Sequence, residues 1–256
     1  LGKEHRLAER RQAILSALEE AGQLSVARLS DRFDVSEVTI RQDLQALSQQ
    51  GLLQRTRGGA LSINSLPELS FDLRQQQYAA QKARIGQAAA GLVNYGDTIF
   101  LDASTTAQTL IPYLKQLSEL TIITNSLKVA MNLLDSPQIQ VILPGGSLRR
   151  TAISLVDQPY CDLIDDINIQ LGFFGARGLT LAEGLSDVSL GEVRMKRIMV
   201  ERCQRVIGLI DARKWGKVAT STFAHLDRID MIISDTAAPA DLAERVRQHN
   251  IEVILV

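Results

Sequence analysis

The chain has 256 residues, of which 45% are hydrophobic, 22% charged and only six proline. That composition fits one large or two modest globular domains and excludes a disordered or collagen-like chain. No apolar run reaches the roughly 18–20 residues of a membrane-spanning helix. The charged opening Leu1–Arg6 has no signal-peptide core behind it, so a cytoplasmic protein without membrane contact is expected. Net charge is −1. Residues 1–60 carry nine Lys and Arg against eight Asp and Glu, and the remainder nineteen against twenty-one. No bulk basic surface marks a nucleic-acid partner, and any such reading rests on where the arginines lie. Cys161 and Cys203 have no CxxC or His-rich neighbour and are expected to pack as small hydrophobes, with no metal or cofactor implied.

The first sixty residues follow helical spacing. Leu7, Ile14, Leu15 and Leu18 share one face of a first helix that Gly22 ends. Ser25 is placed to cap a second helix, whose Val26, Leu29 and Phe33 fall at i, i+3, i+7. After the tight Asp34–Val35 turn, Ser36 and Glu37 open a third helix that buries Ile40, Leu44 and Leu47 and stops at Gly51. Leu52–Thr56 reads as a strand, Arg57–Gly59 as a turn and Ala60–Ile63 as the returning strand, with Asn64–Pro67 in a linker.

Helix, helix, turn, helix and a glycine-tipped hairpin is the layout of a winged helix-turn-helix, whose recognition helix enters the major groove of double-stranded DNA. With Ile40, Leu44 and Leu47 inward, Val38, Gln42 and Gln45 face outward, flanked by Ser36, Thr39 and Arg41. Gln suits adenine edges, Arg suits guanine or phosphate, and Val38 suits a thymine methyl group. Arg28, Arg55 and Arg57 are placed as phosphate contacts, which fix register without reading sequence. A polar outer face is also what any small helical bundle presents; the arginine-bearing hairpin favours DNA. The run Val35-Ser36-Glu37-Val38-Thr39-Ile40-Arg41-Gln42-Asp43-Leu44, followed by Gly51-Leu52-Leu53-Gln54-Arg55 and Gly58-Gly59-Ala60, closely resembles the DeoR family of bacterial transcription regulators. Members usually have a second Arg where this chain has Gln42, and often His in place of Arg57; these departures bear on operator preference.

From about residue 78, helices alternate with short apolar segments, as in parallel strands covered on both faces. Strands are expected at 98–102, 120–124, 140–143, 169–174, 206–211, 231–234 and 251–256. The fold class is therefore α/β, with a winged helix-turn-helix domain at 1–63 (motif about 24–43, wing about 52–63), a linker at 64–77 and an effector-binding and oligomerisation domain at 78–256. In open parallel sheets, ligands bind beyond the strands' carboxyl ends. There the sequence places Asp102-Ala103-Ser104-Thr105-Thr106, Thr124-Asn125-Ser126, Pro144-Gly145-Gly146-Ser147 and Gly175-Ala176-Arg177-Gly178. Singly, each such turn fits helix capping. Together they point to a pocket for a small anionic polyhydroxylated ligand, with backbone N–H groups and hydroxyls for a phosphate and glycines for close approach.

Glu192 and Lys196, four apart on one helix, and Asp211 with Lys214 are candidates to complete that pocket, although an i,i+4 pair also suits a solvated surface. The DeoR-family effector domain is similar to ribose-5-phosphate isomerase and glucosamine-6-phosphate deaminase. Its motifs match at Asp102–Thr106, Thr124–Ser126, Gly145-Gly146, Gly175 with Gly178, Glu192, Lys196 and Asp211 through Gly216. The resemblance implies that the first two turns hold a phosphate, while Glu192, Lys196 and Asp211 contact sugar hydroxyls or order the site. Ala103 stands where Gly is frequent, Asp157 where Gly is common and Ser186-Asp187 where two threonines are common. The implied function is a regulator, as a rule a repressor, of a carbohydrate operon, with a phosphorylated sugar as effector and a homo-oligomer, at least a dimer, as the DNA-binding form. The alternative is a sugar-phosphate isomerase or deaminase using Glu192 or Asp187 as base. Against it, His5, His225 and His249 all lie outside the candidate pocket.

Overall fold

The computed structural model describes residues 2–49, 52–62, 71–157, 164 and 166–256. Gly51, Ile63, Asn64–Pro67 and Cys161, singled out above, lie outside the described residues. The chain divides into two compact units, residues 1–77 and 78–256.

In the first unit, α1 (Gly2–Ala21) ends where Gly22 takes φ +72° and returns its N–H to Leu18 O at 2.8 Å. A short strand follows, β1 (Gln23–Ser25), then α2 (Val26–Phe33), capped as expected by Ser25 accepting from Arg28 N at 3.2 Å. Asp34 turns the chain at φ 49°, and α3 (Glu37–Gln49) begins with Ser36 Oγ accepting from Thr39 N at 3.2 Å. The hairpin is β2 (Leu53–Thr56) and β3 (Gly59–Ser62), so its turn is Arg57-Gly58 alone, with Gly58 at φ +98°. Pairing of β1 with β3 extends it to a three-stranded sheet. Ile14, Leu18, Leu29, Ile40, Leu44 and Leu47 form the core, as their spacing requires. One charged side chain joins them: Asp43, 1% exposed, accepts from Arg10 Nε at 2.6 Å and Arg11 Nε at 2.9 Å, fastening α3 to α1. The stretch read as linker contains α4 (Phe71–Gln76).

The second unit runs α5 (Ala79–Ala90), β4 (Thr98–Leu101), α6 (Ile111–Leu114), β5 (Leu120–Thr124), α7 (Leu127–Asn132), β6 (Ile139–Ile142), β7 (Ser147–Arg149), β8 (Ser154–Val156), β9 (Ile169–Gly175), β10 (Gly178–Thr180), β11 (Gly184–Asp187), α8 (Leu190–Arg202), β12 (Cys203–Leu209), β13 (Ser221–Ala224), β14 (Met231–Ser234), α9 (Ala240–Arg247) and β15 (Glu252–Leu255). Each of the seven expected strands is present, with ends shifted by up to three residues, and they form one parallel sheet in the order β15-β14-β12-β9-β4-β5-β6. Alternate side chains serve the two faces. Phe100 and Phe174 pack with Met195 and Met199 of α8, while Ile99, Leu101 and Phe173 pack with Ile85 of α5 and Leu114 of α6. The sequence reading did not contain the β7–β8 hairpin or the antiparallel sheet β10-β11-β13. Both follow the carboxyl end of a sheet strand. Cys203 is a free buried thiol in the core, pushed up to about 12 by burial.

Candidate functional site

The outer face of α3 and the wing form the first site. Val38 is 61% exposed, and a shallow groove of about 400 Å³ is lined by Val38, Arg41, Gln42, Gln45, Gln49 and Arg55 among others. Two of the expected readers are already engaged: Arg41 Nη2 donates to Glu37 Oε2 at 2.7 Å, and Arg55 Nη1 donates to Gln45 Oε1 at 2.6 Å. The second bond ties the wing to α3 and leaves the Gln45 amide N–H groups as its available face. Ser36 and Thr39 are joined hydroxyl to hydroxyl at 2.9 Å at the helix start. Val38, Gln42, Arg28 and Arg57 are exposed, without side-chain hydrogen bonds among the described residues.

The second site lies along the carboxyl ends of β12, β9, β4 and β5. Its centre is a buried ionic knot. Lys196, on the α8 face that meets the sheet, donates from Nζ to Gly175 O at 2.7 Å and Asp187 Oδ2 at 2.7 Å, and lies 3.0 Å from Asp102 Oδ2 and 4.8 Å from the Phe223 ring centre. Burial pushes the Lys196 ammonium down, but the charges of Asp102, Asp187 and Glu192 outweigh it and hold its pKa above the ordinary lysine value. Burial likewise works against the Asp187 carboxylate, and Lys196 with Arg177 holds its pKa below the usual range. Asp102 also accepts from Ser104 N at 3.0 Å and Gly175 N at 2.8 Å, so it shapes the 102–106 turn. Lys196 and Asp102 are fully engaged by the protein and order the site rather than offering free contacts.

Several other expected contacts also serve as capping or packing groups. Ser104 Oγ accepts from Ala107 N, Thr124 Oγ1 bonds Leu101 O and Ser126 N, and Ser126 Oγ caps α7 at Val129 N. Asp211 caps the turn after β12 and grips Arg213 at 2.9 and 3.0 Å. A Cβ on Gly175 would strike the Ser104 side chain and one on Gly146 would strike Val156 O, so at these positions protein packing alone requires glycine. Gly145, at φ +82°, has open space beside it. Asp157, where the family often has Gly, adopts φ +71°.

Three further features bear on ligand binding. Lys82 of α5, only 5% exposed, donates from Nζ to Thr105 Oγ1 at 2.9 Å, setting a buried positive charge on the 102–106 turn beside Thr106. Asn125, fully buried, donates from Nδ2 to Leu155 O at 3.0 Å and Glu192 Oε2 at 3.2 Å. Both partners are acceptors, which fixes the amide's orientation, and Oδ1 is left as the unpartnered buried side-chain polar atom among the described residues. Glu192 itself is held by Ser154 Oγ and by Arg149 Nη1 at 3.3 Å, both on the β7–β8 hairpin. Lys214, half-buried, is unpaired among the described residues. Sequence reasoning missed Lys82, Arg149 and Ser154. Lys82 alone left a signal: it occupies an apolar position, three, four and seven residues before Ile85, Gly86 and Ala89 on the buried face of α5. Among the described residues no cluster suits a metal ion.

Residues 10–66 match the family model described as DeoR-like helix-turn-helix domain, and residues 77–236 the one described as DeoR C terminal sensor domain. The chain belongs to the DeoR family. Relatives of this DeoR-family chain include the HTH-type transcriptional regulator GolR of Listeria innocua, 36% identical over 89% of this chain and 90% of the relative. The glycerol-3-phosphate regulon repressor of Escherichia coli is 29% identical over 96% and 98%, and the HTH-type transcriptional regulator IolR of Bacillus subtilis is 29% identical over 98% of each. Ribose 5-phosphate isomerase A of Methanocaldococcus jannaschii overlays 52% of this chain and 53% of its own, with 18% identity and a TM-score of 0.39. The protein is thus a DNA-binding transcriptional regulator with a small-molecule sensor domain, not an enzyme.

Proposed function

We propose that this DeoR-family protein is a repressor of a carbohydrate-metabolism operon whose operator affinity changes when a phosphorylated polyhydroxylated metabolite binds along the carboxyl ends of β9, β4 and β5. The Lys82–Thr105 contact carries the reading: a buried ammonium set on a turn of hydroxyls and backbone N–H groups is suited to a phosphate. The Asn125 Oδ1 lone pairs favour a ligand hydroxyl as donor, because an unmet buried acceptor costs about 1–3 kcal/mol. Exposed Val38 and Gln42 suit base edges, and Arg28, Arg55 and Arg57 suit phosphates of the duplex. The names of the relatives, a glycerol-3-phosphate regulon repressor among them, point the same way. No helix of the described residues is long and apolar enough to cross a membrane, in keeping with a cytoplasmic protein on the nucleoid when bound to DNA. Two-fold operators favour a homo-oligomer, at least a dimer; light scattering that gave a monomer at micromolar concentration would remove that part.

The test is a thermal-shift screen of phosphorylated sugars, each beside its unphosphorylated counterpart. A ligand at about 100 times its dissociation constant stabilises by about 2.7 kcal/mol. The expected result is a shift with the phosphorylated member alone, lost in Thr105→Ala/Thr106→Ala. Equal shifts with both members would refute the phosphate subsite.

A further inference from the structure

A second concentration of positive charge lies farther along the same edge. The order β4-β9-β12 sets the segments that follow these strands side by side. Ala176-Arg177 follows β9 and Ile210–Lys217 follows β12, and the two segments are joined. Leu179 and Trp215 form a β-bridge, Gly216 N donates to Leu179 O at 2.9 Å, and Gly178 lies so close to Lys217 O that a Cβ there would collide with it. Arg177, Arg213, Lys214 and Lys217 therefore meet at one corner.

The acidic groups at this corner are already committed. Asp211 is gripped by Arg213, Asp187 is held by Lys196 at 2.7 Å with the charge of Arg177 beside it, and Asp235 accepts from Ala212 N at 2.7 Å and Ala237 N at 3.2 Å. The Arg213 guanidinium is also fixed in place, 3.4 Å from the centre of the Tyr78 ring. The Lys214 side chain has neither a hydrogen bond nor an ion pair among the described residues. The cations feel one another. Burial, with Arg177, Arg213 and Lys217 adding to it against Asp211, pushes Lys214 down to about 8, and burial, with Arg213 adding to it against Asp187 and Asp211, lowers Arg177. Like charges gathered in partly buried positions are unfavourable until an anion joins them.

We propose that the effector carries a second anionic group, a carboxylate or another phosphate, at the end remote from Lys82 and the 102–106 turn, and that Arg177 and Lys214 receive it. The inference rests on the effector reading above and narrows it to a doubly anionic polyhydroxylated chain. Two interstrand spacings separate the end of β4 from that of β12, roughly 10 Å, a span suited to the terminal substituents of an extended sugar chain.

Calorimetric titration of the full chain tests it, using fructose 1,6-bisphosphate, tagatose 1,6-bisphosphate and 6-phosphogluconate beside fructose 6-phosphate, tagatose 6-phosphate and glucose 6-phosphate. At least one doubly anionic probe is expected to bind about tenfold or more tightly than its singly anionic counterpart. The bisphosphates against 6-phosphogluconate tell a second phosphate from a carboxylate. In Arg177→Gln and in Lys214→Met that advantage is expected to vanish. Equal binding of both classes, or an advantage that survives in both variants, overturns the inference and leaves the effector reading standing. No binding by any probe overturns both. The wild-type comparison decides the matter by itself should a variant fail to fold.

Discussion

Lys196 and Lys214 lie in the same sensor unit and carry the same charge, yet their surroundings drive them in opposite directions. Around Lys196, two carboxylates within 3.0 Å offset the loss of water, so the ammonium is part of the architecture. Lys196→Met leaves Asp102 buried without its counter-charge and Asp187 with Arg177 alone. Breaking one side of such a pair costs about 3–5 kcal/mol, and urea denaturation is expected to show a loss of that order. Around Lys214 cations prevail, and burial with their charge lowers its pKa from the ordinary 10.5 to about 8. Between these values the unfolded chain holds a proton that the folded one has released, so this group makes the free protein more stable as pH rises through that window. Below it, the charged form is disfavoured by the fold, and an anion placed beside it relieves the strain. Affinity for an anionic effector is therefore expected to fall between pH 7 and pH 9, and to lose that part of its pH dependence in Lys214→Met. Titrations at the two pH values check this, and an unchanged slope in the variant would exclude Lys214 as an anion contact.

Elements whose stability is local were legible in the sequence. Ile40, Leu44 and Leu47 specify α3 by period, Ser25 and Ser36 cap by side chain, and the apolar runs mark the strands of the parallel sheet because both faces of that sheet are covered. What was not legible depends on partners distant in the chain. β1 has three residues and exists through pairing with β3, while β7, β8 and β10 are equally short and of mixed polarity. The hydroxyls after β4 and β5 showed the same ambiguity. Capping and ligand binding call for the same residue types, and only the structure separates Ser104, Thr124 and Ser126, bound to backbone, from Thr105, which meets Lys82 from 23 residues away. At the DNA face, the Glu37–Arg41 and Arg55–Gln45 pairs leave Gln42 unengaged among the side chains expected to read bases by hydrogen bonds. Gln42→Ala is expected to cost about 1–3 kcal/mol on the cognate operator and to relax preference at one base position. Arg57→Ala, by contrast, should weaken all sequences alike and reduce the salt slope by about one. Anisotropy titrations over a set of point-substituted operators and two salt concentrations distinguish these outcomes.

At the scale of the whole molecule, a sensor unit and a DNA-binding unit in one chain make a switch only if effector and operator prefer different states. A ligand that binds both states equally shifts nothing, however tight it is. The sensor has an element suited to two states. The β7–β8 hairpin is held by Glu192 through Arg149 and Ser154, and by Leu155 N donating to Asn125 O at 2.7 Å, so a ligand hydroxyl reaching Glu192 competes with the bonds that fasten the hairpin. Linkage then sets a quantitative demand. If effector changes operator affinity about 100-fold, the operator complex must bind effector about 100-fold differently from the free protein, a coupling of about 2.7 kcal/mol. Calorimetric titration of effector into free protein and into the preformed operator complex measures both sides of that cycle. Arg149→Ala removes a hairpin contact without touching Lys82 or Thr105. It is expected to leave effector binding to free protein within a few-fold while shrinking the difference between the two titrations. If the difference persists undiminished in Arg149→Ala and in Ser154→Ala, the hairpin does not carry the coupling, and if the two wild-type affinities are equal, the protein is no effector-controlled switch.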